Sequence, residues 1–173
     1  KILADVGLVG RPNAGKSTFL SKISKAKPKI ADYPFTTTSP NLGIVKMADG
    51  YDSFTVADIP GLIEDCHKGK GLGIRFLRHI ERTKILAILV EATSTDPLAD
   101  ADILLNELAH YSQELVSKPK CFILSKSDLL PSDSDPKLPQ DWLTMSAATG
   151  EGLDNVLRKL YGMVRSAKEE ENE

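Results

Sequence analysis

The chain has 173 residues, 41% hydrophobic and 27% charged, which is ordinary composition for one globular domain with a single sizeable core. A formal net charge of -2 gives no global attraction to nucleic acid, so any RNA contact has to be local. No apolar run is long enough to span a membrane, and two cysteines, Cys66 and Cys121, are too few and too separated for a disulfide framework or a metal set, which points to a reducing cytoplasm.

The first residue is Lys1 rather than Met, an apolar run begins at once with Ile2-Leu3-Ala4-Asp5-Val6, and no signal peptide is visible, so the sequence reads as a domain cut from a longer protein. The run closes in a buried strand, Val6-Gly7-Leu8-Val9, and passes into Gly10-Arg11-Pro12-Asn13-Ala14-Gly15-Lys16-Ser17. That octet matches the phosphate-binding pattern G-x-x-x-x-G-K-[ST], in the strand, loop, helix order the pattern requires. Its glycines let backbone N–H groups approach phosphate oxygens, and the dipole of the following helix adds to the attraction. Lys16 brings a mobile positive charge. Ser17 offers a hydroxyl to Mg2+, a hard cation that prefers oxygen and keeps several waters. The expected phosphate cradle is therefore Arg11, Pro12, Asn13, Ala14, Gly15, Lys16, Ser17 and Thr18 of a nucleoside triphosphate site.

A helix is expected from Lys16 to Ala26, with Phe19, Leu20 and Ile23 on one side and Lys27-Pro28-Lys29 as its stop. A polar stretch with Pro34, Thr36, Thr37, Thr38 and Pro40 leads to strands at Gly43 to Met47 and Ser53 to Ala57, joined by the hairpin signal Ala48-Asp49-Gly50-Tyr51-Asp52. Gly61 to Gly73 carries four glycines and reads as mobile; Ile74 to Thr83 reads as a helix. Ile85 to Val90 is a continuous apolar strand of the kind buried on both faces. Asp96-Pro97 caps a helix whose Leu104, Leu108, Tyr111 and Leu115 share a face. Lys120 to Leu124 is a strand, Pro131 to Pro139 a proline-bounded loop, Trp142 to Met145 a short last strand, and Leu153, Val156, Leu157, Leu160 and Val164 the stripe of a closing helix. The charged tail, Lys168 to Glu173, is expected to fray. Strands alternating with helices imply an α/β three-layer sandwich: a mostly parallel six-stranded sheet, right-handed crossovers and one antiparallel hairpin strand. Ligands on such sheets bind beyond the carboxyl ends of strands, where the loops after Val9, Ala57, Leu124 and Met145 gather.

Three further segments carry chemistry. Asp58-Ile59-Pro60-Gly61 ends a strand, where Asp58 reaches Mg2+ through water and the Gly61 N–H meets the terminal phosphate. In Tyr33-Pro34-Phe35-Thr36-Thr37-Thr38 a hydroxyl can complete the Mg2+ shell only while that phosphate holds the segment, which makes a switch; the residues alone leave open which threonine serves. In Ser125-Lys126-Ser127-Asp128 a carboxylate accepts from the ring N–H and the exocyclic amine on one edge of guanine, a pair of donors that adenine lacks. Ser146-Ala147 adds a backbone N–H for the guanine carbonyl. His67 and Cys66 read as surface residues rather than as a base and a nucleophile. Arg75, Arg78 and Arg82 share one face of their helix and, with Lys68, Lys70 and His79, offer a salt-sensitive contact to rRNA phosphate or an acidic protein.

The chain resembles the G domain of translation-factor-class P-loop GTPases, and within them the Obg family associated with the large ribosomal subunit. The resemblance rests on Leu3 to Gly10, Lys27 to Thr37, Pro40 to Gly43, Asp58 to Glu64 and Gly69 to Thr83, and it spans Leu3 to about Val164. It implies a P-loop GTPase fold over residues 1–167 and GTPase activity; the oligomeric state is not indicated, and a monomer is expected. The implied switch acts in large-subunit assembly or stress signalling, with GTP, GDP and ppGpp as ligands and rRNA or a ribosomal protein as partner. It further implies Thr37 as the switch ligand, so that Ser17, Thr37 and Asp58 hold Mg2+; Phe35 beside the nucleotide; Ser125, Lys126, Asp128, Ser146 and Ala147 around the base; and Lys16, Thr37, Gly61 and Asn13 as the catalytic set. In potassium-activated relatives an Asn at the place of Asn13 helps hold K+ beside the phosphates, which makes K+ stimulation an expectation here. Family members usually carry a glycine-rich N-terminal domain that is not in this sequence. Two departures matter. Ser125 stands where the family has an Asn that ties base loop to phosphate loop, so guanine selectivity is expected with affinity weaker by about 1 kcal/mol. Leu62 stands where many GTPases have a water-orienting glutamine, so turnover on the order of 10⁻⁴ to 10⁻² s⁻¹ is expected. Two other readings are a GDP or alarmone sensor in which turnover is secondary, and an ATPase with relaxed base specificity, against which Asp128 argues.

Overall fold

The computed structural model describes residues 4–30, 40–58 and 83–172, without the side chain of Tyr111. Among these, seven strands form one sheet: β1 (Val6–Val9), β2 (Lys29–Ile30), β3 (Asn41–Lys46), β4 (Ser53–Asp58), β5 (Ile85–Glu91), β6 (Lys120–Ser125) and β7 (Leu143–Thr144). The spatial order is β2-β3-β4-β1-β5-β6-β7, and every adjacent pair is parallel except β2 with β3 and β3 with β4. β3 therefore runs against the other strands, as the hairpin signal predicts. The expected six strands gain a seventh, β2, whose two residues are both exposed, so no hydrophobic pattern announces it.

β5 shows why the sheet is covered on both sides. Ile85, Ala87 and Leu89 enter one core with Phe19 and Leu20 of α1 (Lys16–Ile23) and Val156, Leu160 and Val164 of α4 (Leu153–Glu171). Leu86, Ile88 and Val90 enter a second core with Leu104 and Leu108 of α2 (Pro97–Tyr111) and Leu115 of α3 (Gln113–Val116). Alternate residues of a strand face opposite sides, so burial of all six forces a layer of helix on each face. The three layers are thus α1 with α4, the sheet, and α2 with α3.

Local signals set most boundaries, and three differ from the expected ones, two of them at tertiary contacts. Asp96 caps α2 by accepting the Ala99 N–H at 3.1 Å, with Pro97 as first helical residue. α1 stops at Ile23, short of the expected Ala26, where Ser24 turns extended. Here Leu20 and Ser24 press on β3 at Gly43, where a Cβ would collide with Ser24 Oγ and lie 2.8 Å from Leu20 Cδ1; glycine is what lets the helix approach. The expected continuous stripe through Leu115 breaks at Ser112, whose hydroxyl accepts the Leu115 N–H at 3.1 Å and starts α3. Leu115 reaches the α2 core from this second helix. Finally, Lys168 to Glu171, expected to fray, form the last turn of α4. Glu171 Oε2 lies 2.6 Å from Lys84 Nζ, whose side chain is buried, and a buried ammonium requires such a partner.

The segment Gly61 to Gly73 and the helix from Ile74 lie outside the described residues, apart from Thr83, which is buried. Among the described residues no helix is long and apolar enough to cross a membrane. The parallel strands bring their carboxyl ends, at Val9, Asp58, Glu91, Ser125 and Thr144, to one end of the sheet.

Candidate functional site

β1 delivers the chain into a tight turn, Pro12–Ala14, and then Gly15 adopts the left-handed conformation, φ 84° and ψ 23°. A residue with a Cβ resists that geometry, and it is what aims the loop amides and the first turn of α1 in one direction. Arg11, Pro12 and Asn13 are exposed, Ala14 is buried beneath them, and Ser17 and Thr18 are exposed on the first helical turn. Lys16 is buried, with its Nζ 3.7 Å from Asp58 Oδ1. Ser17 Oγ donates to Asp58 Oδ2 at 3.2 Å. Asp58 is the last residue of β4 and stands opposite Leu8 of β1, so sheet register alone brings it under the loop.

Asp58 is 2% exposed, and among the described residues its Oδ1 has no hydrogen-bond partner. A buried carboxylate is costly unless its lone pairs are met, and here one oxygen has only an ammonium beyond hydrogen-bonding distance. The neighbouring Ser17 hydroxyl makes this a pair of hard oxygen donors. The pair fits Mg2+, which binds through one or two protein oxygens and retains water.

At the other end of the loop, Ser125 closes β6 at 2% exposure. Its hydroxyl donates to the Ala14 carbonyl at 2.8 Å and lies 3.3 Å from the Val90 carbonyl oxygen. The serine thus makes one tie between this loop and the loop after β1. Lys126 follows in the left-handed region, φ 59° and ψ 40°, and its Nζ pairs with Glu91 Oε1 at 2.6 Å. Asp128 lies in the turn Ser127–Leu129 and is exposed; its Oδ1 accepts the Ser146 hydroxyl at 2.8 Å. Ser146 is fully buried and in turn accepts the Thr149 N–H at 3.1 Å, while the Ser127 N–H bonds the Met145 carbonyl at 3.0 Å. An ionised carboxylate has acceptor sites for several donors, so Asp128, oriented by Ser146, retains capacity for a ligand.

A cleft of about 300 Å³ lies at this end of the loop, lined by Ala14, Gly15 and Thr18 on one side and by Ser125, Lys126, Asp128 and Ala147 on the other. Of the residues expected around one nucleotide, these seven border one space, and Lys16, Ser17 and Asp58 do not line it. Phe35, Thr37 and Gly61 lie outside the described residues, as do Leu62, Cys66, His67, Lys68, Lys70 and the stripe Arg75, Arg78, His79, Arg82. Sequence reading missed Leu129, Met145 and Ala148, which add apolar wall to the cleft, and Glu91, the partner of Lys126. Glu91 ends a parallel strand as Asp58 and Ser125 do, and that position was the available signal.

The sequence matches the family described as 50S ribosome-binding GTPase over residues 5–126. It is 50% identical over 175 residues to the GTPase Obg of Chloroherpeton thalassium, covering 99% of this chain and 52% of that protein. It is 60% identical over 141 residues to the GTPase Obg of Cytophaga hutchinsonii, covering 82% of this chain and 42% of that protein. The chain spans about half the length of the curated relatives it matches. Among solved structures it resembles nucleolar GTP-binding protein 1 of Plasmodium falciparum, with TM-score 0.69, 16% identity and coverage of 96% of this chain and 88% of that one. It also resembles the G domain of the T. maritima FeoB iron transporter, with TM-score 0.64, 20% identity and coverage of 91% and 96%. At such identities these two speak to the fold.

Proposed function

The chain belongs to the 50S ribosome-binding GTPase family, as an Obg-type member of it, and we propose that it binds GTP with Mg2+, hydrolyses it slowly and changes conformation as it does so. The observation that carries this reading is the convergence of Lys16, Ser17 and Asp58 at one end of a loop whose other end is bonded through Ser125 to the cleft of Asp128.

The loop amides and Lys16 hold the outer phosphates. Ser17 and Asp58 hold Mg2+, Asp58 through water, and the cation neutralises the phosphate charge that must be met for hydrolysis. Thr37, with Phe35 and Gly61, orders around the terminal phosphate and is released on its loss. Asp128 accepts from the guanine ring N–H and 2-amino group, and the Ala147 N–H donates to the guanine carbonyl. ATP offers Asp128 no such pair of donors, so a buried polar pairing would go unmade and ATP is rejected. GTP, GDP and ppGpp share the guanine that this end of the cleft reads. With Leu62 unable to orient water, turnover rests on positioning and charge, and K+ held through Asn13 stimulates it. The protein acts in the cytoplasm on the large ribosomal subunit, with Arg75, Arg78 and Arg82 offering positive charge to its phosphates.

Competition between GTP and ATP tests the reading, with Asp128→Asn as its sharper arm. Wild type should prefer GTP by more than about 100-fold, the scale set by unpaired polar groups. The side chain of Asp128→Asn accepts a hydrogen bond through its amide oxygen and donates one through its N–H, so it should move preference from guanosine to xanthosine triphosphate. Equal binding of GTP and ATP would overturn the assignment of the base end. Phosphate release in K+ against Na+ buffer, and with and without large ribosomal subunits, tests the stimulation and the partner; equal rates would remove them.

A further inference from the structure

We propose that Glu91 is a positioning residue for the base end of the cleft: paired with Lys126, it lays the lysine's alkyl stem across Gly15 so that Lys126 covers the bound nucleoside instead of reaching for phosphate. The inference rests on the guanine-nucleotide reading of the cleft and adds to it a residue that touches neither base nor phosphate.

Sheet register places Glu91. It stands opposite Ser125 in the β5–β6 ladder, and the next residue, Ala92, donates its N–H to the Ser125 carbonyl at 2.8 Å. The carboxylate is thereby fixed level with the residue that precedes Lys126. Its Oε1 meets Lys126 Nζ at 2.6 Å, and its Oε2 lies 3.4 Å from the Thr93 hydroxyl. The two side chains are 29% and 37% exposed, so the pair is half-buried.

Lys126 needs holding. Among the described residues it is the one non-glycine with positive φ, a backbone state that a residue with a Cβ resists. The left-handed turn carries its side chain back over the phosphate loop, where its Cε lies 3.7 Å from the point a Cβ on Gly15 would occupy. An unpaired ammonium this near a polyphosphate would be drawn to it. Glu91 takes up that charge, which leaves Lys16 as the phosphate cation and the Lys126 stem as an apolar cover beside Ala147 and Leu129.

The alternative is a surface ion pair of small consequence. The two differ in sign. If Glu91 were only a negative charge near the loop, its removal would tighten GTP and inorganic tripolyphosphate together. If it positions Lys126, its removal loosens ligands that carry a nucleoside and leaves tripolyphosphate unchanged or tighter.

The test is calorimetric titration of GTP, GDP and tripolyphosphate, each with Mg2+, into wild type, Glu91→Gln, Lys126→Met and the double variant. Glu91→Gln should weaken GTP and GDP about fivefold with no loss for tripolyphosphate. In the Lys126→Met background it should have no further effect, because both changes remove the same link. Glu91→Asp, which keeps the charge on a shorter stem, should fall between wild type and Glu91→Gln and serves if the latter is unstable. Unchanged or tighter GTP binding in Glu91→Gln, a parallel loss of tripolyphosphate, or an undiminished effect beside Lys126→Met would each overturn the proposal. Failure of the wild type to bind guanine nucleotides would instead overturn the reading of the cleft itself.

Discussion

Asp5 and Asp58 are buried carboxylates at opposite ends of the same sheet, and their surroundings differ in kind. Asp5 lies just before β1 and accepts both the Thr55 N–H at 2.9 Å and the Thr55 hydroxyl at 3.2 Å, while its own N–H donates to that hydroxyl at 2.9 Å. Its carbonyl also accepts the N–H groups of Lys84 and Ile85. The start of β1 is thus pinned to β4 and β5, and nearby the Lys84–Glu171 pair fastens α4. Asp58, at the carboxyl end of β4, has an oxygen with no hydrogen bond among the described residues, beside an ammonium at 3.7 Å. Asp5 closes one end of the molecule. At the other, that one carboxylate oxygen is enclosed by protein yet unpaired among the described residues, the state expected of a group whose remaining partner arrives with a ligand.

If that contrast is right, substitutions at the carboxyl end cost binding and substitutions at the amino end cost stability. The largest expected effect is Lys16→Ala, which removes the buried phosphate cation and should weaken GTP by at least about 100-fold, read by titration; retention of binding would break the comparison at its strongest point. Asp5→Ala should lower unfolding stability by about 1–3 kcal/mol in denaturant titration, because it strands the half-buried Thr55 N–H, with GTP affinity of the folded protein unchanged. A loss of affinity as large as the loss of stability would show that the two ends are coupled.

Ser125→Ala cuts the bond to Ala14 and should weaken GTP by about 1 kcal/mol, roughly fivefold. Ser125→Asn restores the family's amide and should tighten it by a similar factor; no gain would mean that the serine already supplies all the tie can give. The smallest effect concerns Cys121, buried on β6 beneath α4, whose thiol burial pushes up from 9.0 to about 11. The folded state holds this proton more tightly than the unfolded chain, so the contribution is full below pH 9.0 and is lost as pH rises toward 11. Alkylation at pH 8, followed residue by residue with mass spectrometry, should label Cys121 only on unfolding; native labelling at the denatured rate would show that α4 does not stay docked.

By itself the sequence determined the phosphate loop, the capped start of α2, the hairpin with its antiparallel strand and the two-sided burial of β5. Each of these is written in a few neighbouring residues: Gly15 where the backbone turns left-handed, Asp96 before Pro97, six apolar residues in succession. Asp58, Ser125 and Asp128 were legible because a strand end is a local feature and ligands gather there. Only the tertiary structure decided that β2 exists, since two exposed residues become a strand solely by pairing with β3. It likewise decided that α4 runs on to Glu171, since the partner holding the last turn is Lys84, and that Lys126 answers to Glu91. Those contacts depend on which strands lie side by side and in what register, and no window of neighbouring residues carries that information.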